Sequence, residues 1–143
     1  MQRSAIVSAV LVLTACSAGE PEVAEPEEVA VSDFVTANGS PPGVYEFTGG
    51  DGSSSIITIN ADGTFSQMTP EGTHGAEGFL EVMDGRTCAR LETRGAEPLC
   101  YTETAPAADG SFTTTPDGGE PIAVRPLTNA EVSALEVGTQ AAE

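Results

Sequence analysis

The chain has 143 residues, 22 of them acidic against five arginines and no lysine, for a formal net charge of −17. So large an acidic excess disfavours nucleic acid and anionic lipid headgroups as partners, and leaves a basic protein, a cation or a neutral ligand. With no tryptophan and 5% aromatic residues, this length supports at most one small domain with a modest core.

The first element belongs to export, not to the fold. Met1, Gln2 and Arg3 form a short basic start, Ala5 to Ala15 is an apolar run, and Leu13-Thr14-Ala15-Cys16 closes it. That order marks an export signal. The run is too short to cross a bilayer, which takes about 20 apolar residues. Its ending resembles the lipobox of bacterial lipoproteins, a leucine three residues before a cysteine with small residues between. The resemblance implies that residues 1–15 are a signal peptide, that the Cys16 thiol receives a diacylglycerol, and that the amine freed by cleavage is acylated in turn. The membrane is then a partner through Cys16 alone. Each buried methylene contributes about 0.8 kcal/mol, so one acyl chain holds weakly and two or three hold firmly. Ser17 stands where an aspartate would favour retention at the inner membrane. The expected address is therefore the periplasmic face of the outer membrane, with the inner membrane or cell surface as alternatives. An ordinary secretory peptide with an incidental cysteine is the other reading of this segment. Cleavage removes Arg3 and takes the charge from −17 to −18.

Residues 16–42 read as a lipidated cysteine followed by an acidic, disordered linker. Glu20, Glu22, Glu25, Glu27 and Glu28 alternate with Pro21, Pro26, alanine and valine, and like-charge repulsion with low hydrophobicity keeps such a segment extended. Val29, Val31, Phe34 and Val35 offer an edge strand as the alternative. Ser40-Pro41-Pro42-Gly43 is a firm break.

From 43 to 126 the pattern is β. Strands are expected near 44–48, 54–60, 63–69, 77–83, 86–92, 97–103, 110–115 and 121–125, with Asp62-Gly63, Asp84-Gly85, Asp109-Gly110 and Asp117-Gly118 between them. The expected fold class is all-β: a small antiparallel meander, closed as a barrel or folded as a sandwich, with a short C-terminal helix. Ala61-Asp62-Gly63-Thr64-Phe65-Ser66 is echoed by Ala108-Asp109-Gly110-Ser111-Phe112-Thr113, through a duplicated hairpin or shared turn chemistry.

One hairpin can be placed in register. A two-residue turn at Asp84-Gly85 pairs Val82 with Thr87 and Leu80 with Ala89, with Leu91 on the same, core-facing side. Glu81, Arg86, Arg90 and Cys88 fall on the wetter side. A three-residue connection, Thr93-Arg94-Gly95, then sets Ala89 opposite Leu99 and Cys88 opposite Cys100. Cross-strand neighbours lie within disulfide reach. In an oxidising envelope, the compartment that the lipobox resemblance implies, this even pair reads as a bond on the outer face or under a neighbouring loop.

The tail, 127–143, carries a helix signal. Thr128 with Glu131 fits a capping box, and Leu127 with Val132 a hydrophobic staple. One to two turns are expected, ended by Gly138 and plugging one end of the β domain through Val132 and Leu135, with 139–143 frayed.

The chain is poor in catalytic parts. His74 is its one histidine, in a glycine-flanked loop, and no serine sits in a Gly-x-Ser-x-Gly elbow. No cofactor or metal is expected: His74, Cys88 and Cys100 lack close zinc-ligand pairs, Gly49 to Ser55 lacks the lysine and helix of a phosphate loop, and Asn60, Asp62 and Thr64 lack the rest of a calcium loop. Arg86, Arg90 and Arg94 cluster about the predicted disulfide hairpin. They form either cross-strand ion pairs with residues such as Glu81 or a patch able to grip a carboxylate or phosphate.

Gly43-Val44-Tyr45, Asp62-Gly63-Thr64-Phe65 and the Cys88/Cys100 pair resemble small periplasmic β-barrel lipoproteins, which include protease and lysozyme inhibitors with a single disulfide. The expectation is a monomeric, non-enzymatic binding module at the envelope. An inhibitor that meets a basic hydrolase partner, or a structural envelope component, is the alternative.

Overall fold

The computed structural model describes residues 33–93, 95 and 97–140. Cys16, the export segment, most of the linker and Arg94 lie outside them. Eight antiparallel strands follow one another in chain order: β1 (Gly43–Thr48), β2 (Ser54–Ile59), β3 (Thr64–Met68), β4 (His74–Met83), β5 (Arg86–Leu91), β6 (Leu99–Glu103), β7 (Phe112–Pro116) and β8 (Ile122–Pro126). Each pairs with the next, and β8 returns to pair with β1. Of the two expected closures the molecule adopts the barrel, which leaves no open sheet edge. All eight predicted strands are present. The largest shift is at β4, which starts at His74, so this histidine opens a strand and remains exposed.

Turn chemistry sets the register. Asp84 and Gly85 both have positive φ, 50° and 74°, as a two-residue I′ turn demands. That turn pairs Val82 with Thr87 and Leu80 with Ala89, as predicted. The next connection places Ala89 opposite Leu99 and Cys88 opposite Cys100, and the two cysteines are bonded with Cα atoms 4.0 Å apart. Two details differ from expectation. Val82, placed on the core side, is 48% exposed because it lies at the hairpin tip, beyond the packed interior. Cys88, placed on the wetter side, is fully buried.

The barrel's inner positions carry Tyr45, Ile59, Phe65, Ala89, Phe112 and Val124, which form the buried cluster. Tyr45 and Phe112 meet edge to face at 6.4 Å between ring centres. The chain enters and leaves at one rim, where the β2–β3, β4–β5 and β6–β7 connections also lie. Residues 33–42, expected as the end of the linker, cross this rim. The Phe34 amide donates to Ala61 O at 2.8 Å, the Ala37 amide to Thr87 Oγ1 at 2.9 Å, and Asn38 Nδ2 to Thr104 O at 3.0 Å. Those acceptors stand at three places around the rim, so the segment closes it. Thr36 and Ser40 are buried there. Neither the linker reading nor the edge-strand alternative holds for Phe34 and Val35; Val29 and Val31 lie outside the described residues.

Helix α1 (Asn129–Gln140) is longer than expected and runs through Gly138. A glycine costs a helix about 1 kcal/mol relative to alanine, which Ala134, Leu135 and Glu136 before it offset by good propensity. The capping box forms: the Thr128 amide donates to Glu131 Oε2 at 2.8 Å and the Glu131 amide to Thr128 Oγ1 at 3.3 Å. The expected plug through Val132 and Leu135 is not what closes the barrel. Glu131 instead reaches Arg125, on the outward-facing side of β8, at 2.8 Å, and residues 33–42 take the closing role.

Candidate ligand cavity

Eight strands enclose an interior just wide enough for side chains or for one small ligand. Here part of it is open: a cavity of about 590 Å³ runs inside the barrel. Small residues at inward positions, Ser55, Ala76, Thr87, Ala89 and Thr114, leave this space unfilled. At one end it stops against Thr36 and Ser40 of the closing segment; at the other it reaches Gly49, Ser53 and Thr69, in the β1–β2 and β3–β4 connections. The mouth is therefore at the rim opposite the closing segment. Phe47, Ile57, Leu91, Leu99 and Ile122 give the wall an apolar character.

The floor is polar. On β6, alternation puts Leu99, Tyr101 and Glu103 in the cavity wall. Glu103 Oε2 accepts from Thr87 Oγ1 at 2.9 Å and from the Asn38 amide at 3.2 Å. Burial raises the Glu103 pKa above the ordinary glutamate value, and these two hydrogen bonds pull it partly back. Tyr45 Oη donates to Pro41 O at 2.6 Å. Burial, and then the charge of Glu103, raise the tyrosine pKa. Glu103 is the lone ionisable carboxyl among the described lining residues, and none of them is basic.

Sequence reasoning did not single out Glu103, yet its signal was there. Once Ala89 faces the core and pairs with Leu99, period-two alternation sends Tyr101 and Glu103 inward. The closing role of Thr36, Asn38 and Ser40 had no comparable signal, because it rests on side-chain contacts to distant strands.

The predicted site residues lie elsewhere. Arg86 Nη1 sits 2.7 and 2.8 Å from the two oxygens of Asp117, and Arg90 Nε pairs with Glu81. Arg90–Glu81 is the expected cross-strand pair, whereas Arg86 reaches Asp117 in the β7–β8 connection; both arginines are on the wall's outer side. Arg94 and Cys16 lie outside the described residues. Loop 49–53 is a hairpin connection in which Asp51 Oδ1 accepts from the Ser53 amide and hydroxyl. Asp62 serves Thr64 in the same way. Among the described residues no group of three or more His, Cys, Asp or Glu is placed to hold a metal. The chain matches no protein-family model, no curated protein and no solved structure.

Proposed function

We propose that this chain is a lipid-anchored envelope protein whose barrel is a non-enzymatic binding module, taking a small apolar molecule into its interior. The cavity carries the reading: about 590 Å³, mostly apolar in its wall, closed at one rim and open at the other. Burying apolar ligand surface there contributes roughly 25 cal/mol per Å², and a preformed site spares most of the ordering cost. The neutral dye N-phenyl-1-naphthylamine tests it. The full chain should enhance the dye's fluorescence with saturation at one equivalent, and Leu99→Trp, which fills the cavity, should weaken uptake at least tenfold with an unchanged circular dichroism spectrum. A dye that is not taken up, or that binds the variant equally well, removes the reading.

The lipobox-like Leu13-Thr14-Ala15-Cys16 supports the anchor. Cys16→Ala should shift the protein from the membrane fraction to the soluble one, with a mass lacking acyl chains in both fractions. A wild-type chain that is equally soluble and bare overturns the anchor and leaves the cavity untouched. The acidic exterior, with Arg86, Arg90 and Arg125 each held by a carboxylate, favours the second reading, encounter with a basic hydrolase. That contact would lie on the outer wall and give the interior no role.

A further inference from the structure

The cavity's single carboxylate narrows what it takes, on the premise that the barrel is a binding module. Both hydrogen bonds that Glu103 accepts from the described residues fall on Oε2, from Thr87 Oγ1 and the Asn38 amide. Oε1 accepts neither. The hydroxyls of Thr87, Thr114 and Tyr45 share the wall with it, and the remainder is largely hydrocarbon from Phe47, Ile57, Leu91 and other apolar side chains. No lysine, arginine or histidine is among the described lining residues.

We infer that the cavity selects an organic amine: an apolar body lies along the wall toward the mouth, and a protonated nitrogen donates to Glu103 Oε1 at the floor. The chemistry is one-sided. An anionic ligand would bring its charge against Glu103 with no cation among the described lining residues to offset it, which is costly where water is scarce. A neutral alcohol donates one hydrogen bond to the carboxylate but leaves its charge unbalanced. An ammonium adds the attraction of opposite charges to its hydrogen bond, and neutralises a half-buried carboxylate that has no counter-ion among the described residues. The second lone pairs of the Thr87 and Thr114 hydroxyls are the nearby acceptors for the remaining N–H groups. The apolar wall excludes simple metal cations and small hydrophilic amines, because neither buries hydrocarbon.

The test compares three ligands of one shape by calorimetry on the full chain at pH 7: 1-naphthylmethylamine, 1-naphthylmethanol and 1-naphthoate. The amine should bind at least tenfold more tightly than the alcohol, and the carboxylate more weakly than either. Glu103→Gln keeps an acceptor oxygen for Thr87 and Asn38, so the floor stays assembled. It should abolish the preference for the amine over the alcohol, the amine losing at least tenfold and the alcohol less, because the acceptor for both becomes a neutral amide. Equal binding of amine and alcohol by the wild type, or an undiminished amine preference in Glu103→Gln, overturns the charge selection. If that variant does not fold, the wild-type order of the three ligands decides alone. Failure of the alcohol and the amine alike strikes instead at the binding module itself, so the two claims fall separately.

Discussion

Glu131 accepts from the Thr128 amide at 2.8 Å, from the Thr128 hydroxyl at 2.9 Å and from Arg125 Nη1 at 2.8 Å. The amide of Thr128 first, then Arg125 and the Thr128 hydroxyl, hold its pKa down at about 2. The consequence for stability has a definite sign. A carboxyl with a depressed folded pKa stabilises above its unfolded value, near 4.5, and that contribution is lost as pH falls through about 2. Side-chain carbon shifts followed by NMR should give Glu131 a midpoint near 2. Arg125→Ala should raise it without restoring the ordinary value, because the Thr128 amide remains. A midpoint near 4.5 in the wild type would show that the capping box does not hold in solution. Gly78 makes a different residue-scale point. A Cβ there would meet the Arg90 carbonyl oxygen at 1.9 Å, so only glycine allows β4 and β5 to approach so closely. No pattern in the sequence announces that contact, which depends on how closely the two strands approach at this position.

At the scale of elements, what was legible was what local chemistry decides. Alternating β-branched and aromatic residues located all eight strands, since side chains on a pleated wall must take opposite faces in turn. Asp-Gly marked the connections, but the same dipeptide serves two geometries. At Asp84-Gly85 both residues take positive φ. At Asp62-Gly63 and Asp109-Gly110 the aspartate is an acceptor for the amide and hydroxyl two residues on, at Thr64 and Ser111. Those bonds hold both carboxyls below the usual aspartate range and give the two echoed segments the same turn geometry, with Phe65 and Phe112 both delivered to the core. The disulfide was legible because two independent constraints, turn length and cysteine spacing, selected one register. Closing a loop of 12 positions stabilises by about 3 kcal/mol in the chain-entropy account. The extent of α1 is not legible from Gly138, because good helix formers carry the chain past a single glycine.

The molecule as a whole is closed by two kinds of bond, and they should respond differently to perturbation. The barrel wall is a continuous ladder of backbone pairings from β1 round to β8. Its closed rim instead depends on Asn38. The side-chain oxygen of that residue accepts from the Thr36 hydroxyl at 2.7 Å, the Ser40 hydroxyl at 2.8 Å and the Ser40 amide at 3.1 Å, while Nδ2 donates to Thr104 O at 3.0 Å. Asn38→Ala removes all four and leaves the Ser40 hydroxyl without its acceptor in a buried setting, a loss of about 1–3 kcal/mol for a group left unsatisfied, while the Thr36 hydroxyl keeps the Ser40 carbonyl at 3.4 Å. None of the strand pairings uses Asn38. The segment should therefore open as a local unit below the free energy of global unfolding. Amide exchange should accelerate at least tenfold at Phe34, Ala37 and Ser40, and remain as in the wild type at Tyr45, Phe47 and Val124 within the ladder. Uniform acceleration across both sets would mean that the closing segment and the wall unfold together, and that the rim is an inseparable part of the barrel rather than a cover laid across it.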